Sequence, residues 1–134
     1  MSTLLEIVES ALTEHDMHYH TRTVKSGGIV SLTMGGASIS IAVDEESAVV
    51  RILGSMSLDL PDEAKLQQAY QMVNEWNMEN ITKYYLDSDG DLTVEWYIDA
   101  DDGMFSPAIF MAGFGRVAVA LREAKAPMMK LCYC

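Results

Sequence analysis

Apolar residues recur at helical spacing over Leu4, Leu5, Ile7, Val8, Ala11 and Leu12, and Thr3 stands three places before Glu6 in the form of a capping box. The pattern predicts a helix over 3–15. From Ile29 to Gly54 the period drops to two. Val30, Leu32 and Met34 share one face, and Ile39, Ile41 and Val43 share another against Ser38 and Ser40. Gly35-Gly36 is a two-residue hairpin signal and Asp44-Glu45-Glu46-Ser47 a polar turn, so three antiparallel strands follow one another as a meander. Ahead of them, the stretch from His18 to Val24 reads as an extra short strand, turned by Lys25-Ser26-Gly27-Gly28.

The second half repeats the alternation of element types. Pro61-Asp62-Glu63, with Asp59 or Leu60 near the cap, starts a helix over 61–78 with one face formed by Leu66, Ala69, Tyr70, Val73 and Trp76 or Asn77. Ile81 to Leu86 and Leu92 to Ile98 flank Ser88-Asp89-Gly90-Asp91 as a second hairpin. Ser106-Pro107 opens a last helix, the hydroxyl placed to cap and the proline placed where its missing donor costs nothing. Phe110, Phe114, Val117 and Leu121 form one stripe of it, and Ala108, Ala112, Gly115 and Val119 another. A helix apolar on two sides is buried on two sides, and in so small a domain the sheet covers only one. Phe110, Met111, Phe114 and Val119 are therefore the expected contacts to a second subunit or a partner protein. The expected fold is α+β in the order α-β-β-β-α-β-β-α, a twisted antiparallel sheet of about five strands with helices packed mainly on one face. The domain is expected over 1–127, with 128–134 a C-terminal tail.

Composition sets the class. A chain of 134 residues, 49% apolar and 22% charged, is one folded domain. Its net charge of −11 repels nucleic acid over most of the surface. The charge is uneven: residues 106–134 hold Arg116, Arg122, Lys125 and Lys130 against Glu123 alone, a balance of +3, which leaves −14 on residues 1–105. The only cysteines, Cys132 and Cys134, are too close for an ordinary staple, and the acidic N-terminal stretch lacks the basic and apolar segments of an export signal. A cytoplasmic protein is expected. The last helix is too short and too interrupted to span a membrane.

Candidate chemistry is sparse. Asp87-Ser88-Asp89-Gly90-Asp91 has the glycine and the twelfth position wrong for a calcium-binding helix-loop-helix and reads as a hairpin turn. His15, His18 and His20 are the metal candidates, since His18 and His20 would point the same way on a strand with His15 or Asp16 beside them. Solvent-exposed histidines are the plainer reading. Cys132 and Cys134 read as tail. No nucleophile elbow or triad-like motif occurs, and Gly113 and Gly115 lie within a helix with no strand before them, as a phosphate loop would require. Neither catalysis nor a cofactor is expected.

Asn74, Trp76 and Asn77, followed by the acidic hairpin from Ile81 to Asp99, resemble the signature of the YbjN domain family, bacterial proteins labelled as sensory transduction regulators. The likeness is clearest from about Leu66 to Leu121. The element order also resembles the type III secretion chaperone fold, small acidic cytoplasmic dimers that hold an extended segment of a client protein. The resemblance implies a non-enzymatic, homodimeric binding or regulatory module, and it supplies no catalytic residue. The alternative is a small-molecule or metal sensor using the His15–His20 segment.

Overall fold

The computed structural model describes residues 2–133. The alternation read between Ile29 and Gly54 is realised as β2 (Gly27–Met34), β3 (Ala37–Asp44) and β4 (Val49–Met56). Val30, Leu32, Ile39, Ile41, Val43, Val50 and Ile52 all point to one buried face, while Ser31, Thr33 and Ser38 point away. Gly35 and Gly36 make the two-residue turn between β2 and β3, both at positive φ, which an L side chain resists. The segment after the first helix does form a strand, β1 (His20–Val24), paired with β2 through a turn at Lys25-Ser26. Gly27 and Gly28, expected in that turn, instead begin β2.

β5 (Lys83–Leu86) and β6 (Leu92–Asp99) form the second hairpin, and β6 pairs with β4. The sheet is therefore six-stranded and wholly antiparallel, in the order β1-β2-β3-β4-β6-β5. The helices α1 (Leu4–Glu14), α2 (Glu63–Glu79) and α3 (Pro107–Tyr133) pack on one face. α3 lies on β4 and β6, α1 packs on α3 and the β2–β3 end, and α2 packs on β5 and α3.

Each helix begins where its chemistry provides a cap. Thr3 and Glu6 close the expected capping box on α1, and Asp62, rather than Asp59 or Leu60, caps α2 through the Lys65 N–H. The Ser106 hydroxyl accepts from the Ile109 N–H at 3.2 Å at the start of α3. A second device holds α1 to the sheet. The Glu45 carboxylate, in the β3–β4 turn, accepts from the Leu4 and Leu5 N–H groups at 2.9 and 3.0 Å, placing negative charge at the positive end of the helix.

Residues 128–133, expected as a tail, are the last turns of α3, and Met128, Leu131 and Cys132 are buried. The helix continues through Pro127, whose missing N–H leaves the Glu123 carbonyl without its helical donor. Burying three apolar side chains outweighs one lost hydrogen bond, at roughly 1.5–3 kcal/mol per large side chain against about 1 kcal/mol. Cys134 lies outside the described residues.

Candidate functional site

The acidic hairpin turn is self-satisfied. Asp87 Oδ1 accepts from the Asp89 and Asp91 N–H groups at 2.9 and 3.1 Å, and Asp91 Oδ1 accepts from the Leu58 N–H at 3.0 Å. Asp87, Asp89 and Asp91 are the sole set of three ligating groups that converge within 4.8 Å among the described residues, and the histidines belong to no such set. His15 ends α1 with its Nδ1 2.9 Å from the Ala11 carbonyl, while His18 and His20 are exposed. Asn74 is exposed on α2, Trp76 packs its ring 5.3 Å from that of Tyr84, and the Asn77 carboxamide reaches the Tyr84 backbone. Asn80 ends α2 by donating from its amide to the Trp76 carbonyl at 2.9 Å.

The residues expected at an interface on α3 divide. Phe110 is fully buried and Phe114 is 3% exposed, so both are spent inside the protomer, where their rings lie 5.9 Å apart. Met111 is half-buried against the same core, and Val119 is 41% exposed. With Val119 on the outward face stand Ala108, Ile109, Ala112 and Arg116. The Arg116 guanidinium lies 4.7 Å over the Trp96 ring.

Two hollows flank Val119. One, of about 400 Å³, lies towards the β2–β3 turn and is lined by Met34, Met56, Leu121, Arg122 and Lys125. The other, of about 500 Å³, is bounded by Asn80 and Thr82 on one side and Ala112, Gly115 and Arg116 on the other. Ile81, between Asn80 and Thr82 in the chain, is 77% exposed. The helix therefore presents a ridge of small and β-branched residues with cations along it. Such a surface suits contact with another polypeptide and offers no convergent acid, base and nucleophile.

The other face of the sheet carries an ion pair that the sequence pattern does not announce. Arg51 on β4 meets Glu95 on β6 through both Nε and Nη2, at 3.3 and 2.9 Å. The Arg51 hydrogen bonds, ahead of its charge and against a burial penalty, hold the Glu95 carboxyl below the usual glutamate range. Tyr85 donates its hydroxyl to Glu95 Oε1 at 3.3 Å, and burial first, then Glu95, pushes the phenol up. On this face Thr33, Ser38, Ser55 and Thr93 stand in register across four strands, and in the next row Ser31 and Ser40 lead to Leu53, which lies opposite Glu95.

Comparison with known proteins fits this account. A family model described as "Putative bacterial sensory transduction regulator" matches residues 4–121. No curated protein matches. A chain of the crystal structure of the ExsC–ExsE complex superimposes with a TM-score of 0.68 at 14% identity, covering 95% of this chain and 97% of that one. Likeness at this identity is a likeness of fold, and it bears out the chaperone-like arrangement read from the element order. No helix among the described residues is long and apolar enough to cross a membrane.

Proposed function

The chain belongs to the YbjN family, and from that premise we propose that it is a non-enzymatic, cytoplasmic protein-binding module that pairs with a second copy of itself and holds a segment of another protein. One observation carries the reading. A helix facing water carries polar residues on its outer side, whereas the first half of the outer side of α3 presents Ala108, Ile109, Ala112 and Val119 around the single charge of Arg116, with a hollow on either side of Val119.

Charge favours a second copy as the cover for this face. α3 is basic, and α2 beside it holds Glu63, Glu75 and Glu79 with Tyr70 and Met78 exposed among them. In a two-fold pairing, α2 of one protomer meets α3 of the other, and both contacts are then complementary in charge and in apolar surface. A chain of the same fold occurs in the ExsC–ExsE complex, which supports the further role of holding a protein segment.

The test is the mass of the full chain by sedimentation, for the natural protein and for Val119→Glu. A dimer that becomes a folded monomer on this substitution supports the reading. A natural protein that sediments as a monomer removes the second copy from it.

A further inference from the structure

The two hollows beside Val119 differ in their chemistry. The one bounded by Thr82 and Arg116 also has Glu123 in its lining, so both signs of charge face it. The other, of about 400 Å³, is lined by Met34, Ala37, Met56, Ala118, Val119 and Leu121, with Arg122 and Lys125 as its only charged residues. Ala37, Met56 and Leu121 are buried and Met34 and Ala118 half-buried, so this hollow is recessed between α3 and the ends of β2, β3 and β4. Its size and its make-up, an apolar body with a few charged groups, are those of a small-molecule site. The two methionine side chains are flexible and adapt to the shape of an occupant.

The cations select that occupant. Arg122 and Lys125 stand three places apart on α3, a spacing that makes helical side chains neighbours, and like charges so placed repel. The one ion pair among the described residues joins Arg51 to Glu95, so neither cation has a carboxylate there to offset the repulsion. The chain has twenty acids, and none of them lines this hollow. Glu123, next to Arg122 in sequence, lines the hollow on the other flank of α3, and Asp59, Asp62, Glu63 and Asp89 line a separate one at the start of α2.

We infer that this hollow binds a small amphiphilic anion, an apolar chain of about eight to ten carbons ending in a carboxylate. The chain lies against Met34, Met56 and Leu121, and the carboxylate sits between Arg122 and Lys125. A neutral apolar ligand would leave the two cations unmatched, and a cationic one would add a third like charge. The whole lining comes from one chain, so the site does not depend on a second copy covering the outer face of α3.

The experiment titrates the full chain by calorimetry with sodium octanoate and sodium decanoate, and with decyltrimethylammonium bromide as the cationic counterpart. One decanoate per chain is expected, bound about tenfold more tightly than octanoate because two more methylenes leave water. The net charge of −11 draws the cationic chain to most of the surface, so tighter binding of the anionic one reports the local cations. The double variant Arg122→Gln, Lys125→Gln is expected to weaken decanoate by about fivefold. Ala118→Leu, which fills the hollow, is expected to block it. Both cations are exposed, so the double variant tests the site even where Ala118→Leu perturbs the fold, and circular dichroism checks each. Decanoate that fails to bind at millimolar concentration, a cationic chain that binds as tightly, or unchanged affinity in the double variant each overturns the inference. So do amide shifts on decanoate binding that fall away from residues 34–37 and 118–125.

Discussion

The Asn77 carboxamide bonds both backbone groups of Tyr84, accepting from its N–H at 2.7 Å and donating to its carbonyl at 2.8 Å. One side chain at the end of α2 thereby fixes where β5 begins, seven residues later, and closes that point of the sheet edge. Replacing Asn77 with Ala leaves a donor and an acceptor unpaired beside a largely buried Tyr84. The expected cost is about 1–3 kcal/mol, read as a lower urea midpoint with unchanged slope. Asn77→Asp retains the acceptor but sets a carboxylate against the Tyr84 carbonyl, and is expected to destabilise at least as much.

Gly54 is where α3 meets β4. A Cβ there would fall within the Leu121 side chain and 2.8 Å from Val117 Cγ1. Gly113, on the helix, faces Trp96 in the same way, with Cδ1 at 2.6 Å. Gly54→Val is expected to destabilise by about 1–3 kcal/mol through overpacking, and thermal unfolding checks it. Gly115→Ala, on the same helix but meeting nothing within 4 Å, is the control and is expected to be neutral or slightly stabilising.

Acid should weaken the sheet at Glu95. Its carboxyl is held below the ordinary range in the folded state, so its contribution is present above the unfolded value and is lost as pH falls through the lowered folded one. Glu95→Gln removes that dependence. The difference in unfolding free energy between natural protein and variant is expected to shrink as pH is lowered through the carboxylate range, and denaturant titrations at several pH values measure it. Arg51 is 45% exposed, so the difference at neutral pH is expected to be modest, about 1 kcal/mol.

Phe114 and Val119 separate folding from association. Phe114→Ala is expected to cost about 3–5 kcal/mol of stability because the ring is core. Val119→Glu is expected to leave the circular dichroism spectrum and melting temperature nearly unchanged while lowering the sedimenting mass.

Glu45→Ala is expected to cost about 1–2 kcal/mol, since it removes the acceptor of two N–H groups at the start of α1. Faster-exchanging amides are expected to appear first in residues 4–8, which hydrogen exchange resolves.

What the sequence determined by itself was local. Period-two alternation gave the meander because successive side chains of a strand take opposite faces, and the hydroxyl or carboxylate caps marked helix starts because orphan N–H groups need an acceptor nearby. The Asn74, Trp76 and Asn77 signature was legible as the end of a helix, but its partner Tyr84 was fixed only by the packing of α2 on β5. Tertiary structure alone decided the pairing of Arg51 with Glu95, 44 residues apart, and of Glu45 with the start of α1. It also decided that Met128 and Leu131 continue the core past Pro127, and that Phe110 and Phe114 face inward while Val119 faces out. Two apolar stripes on one helix look alike in sequence. Which of them is buried depends on how α3 is rotated as it crosses β4 and β6, and that rotation is set by the close approaches at Gly54 and Gly113, where distant parts of the chain meet.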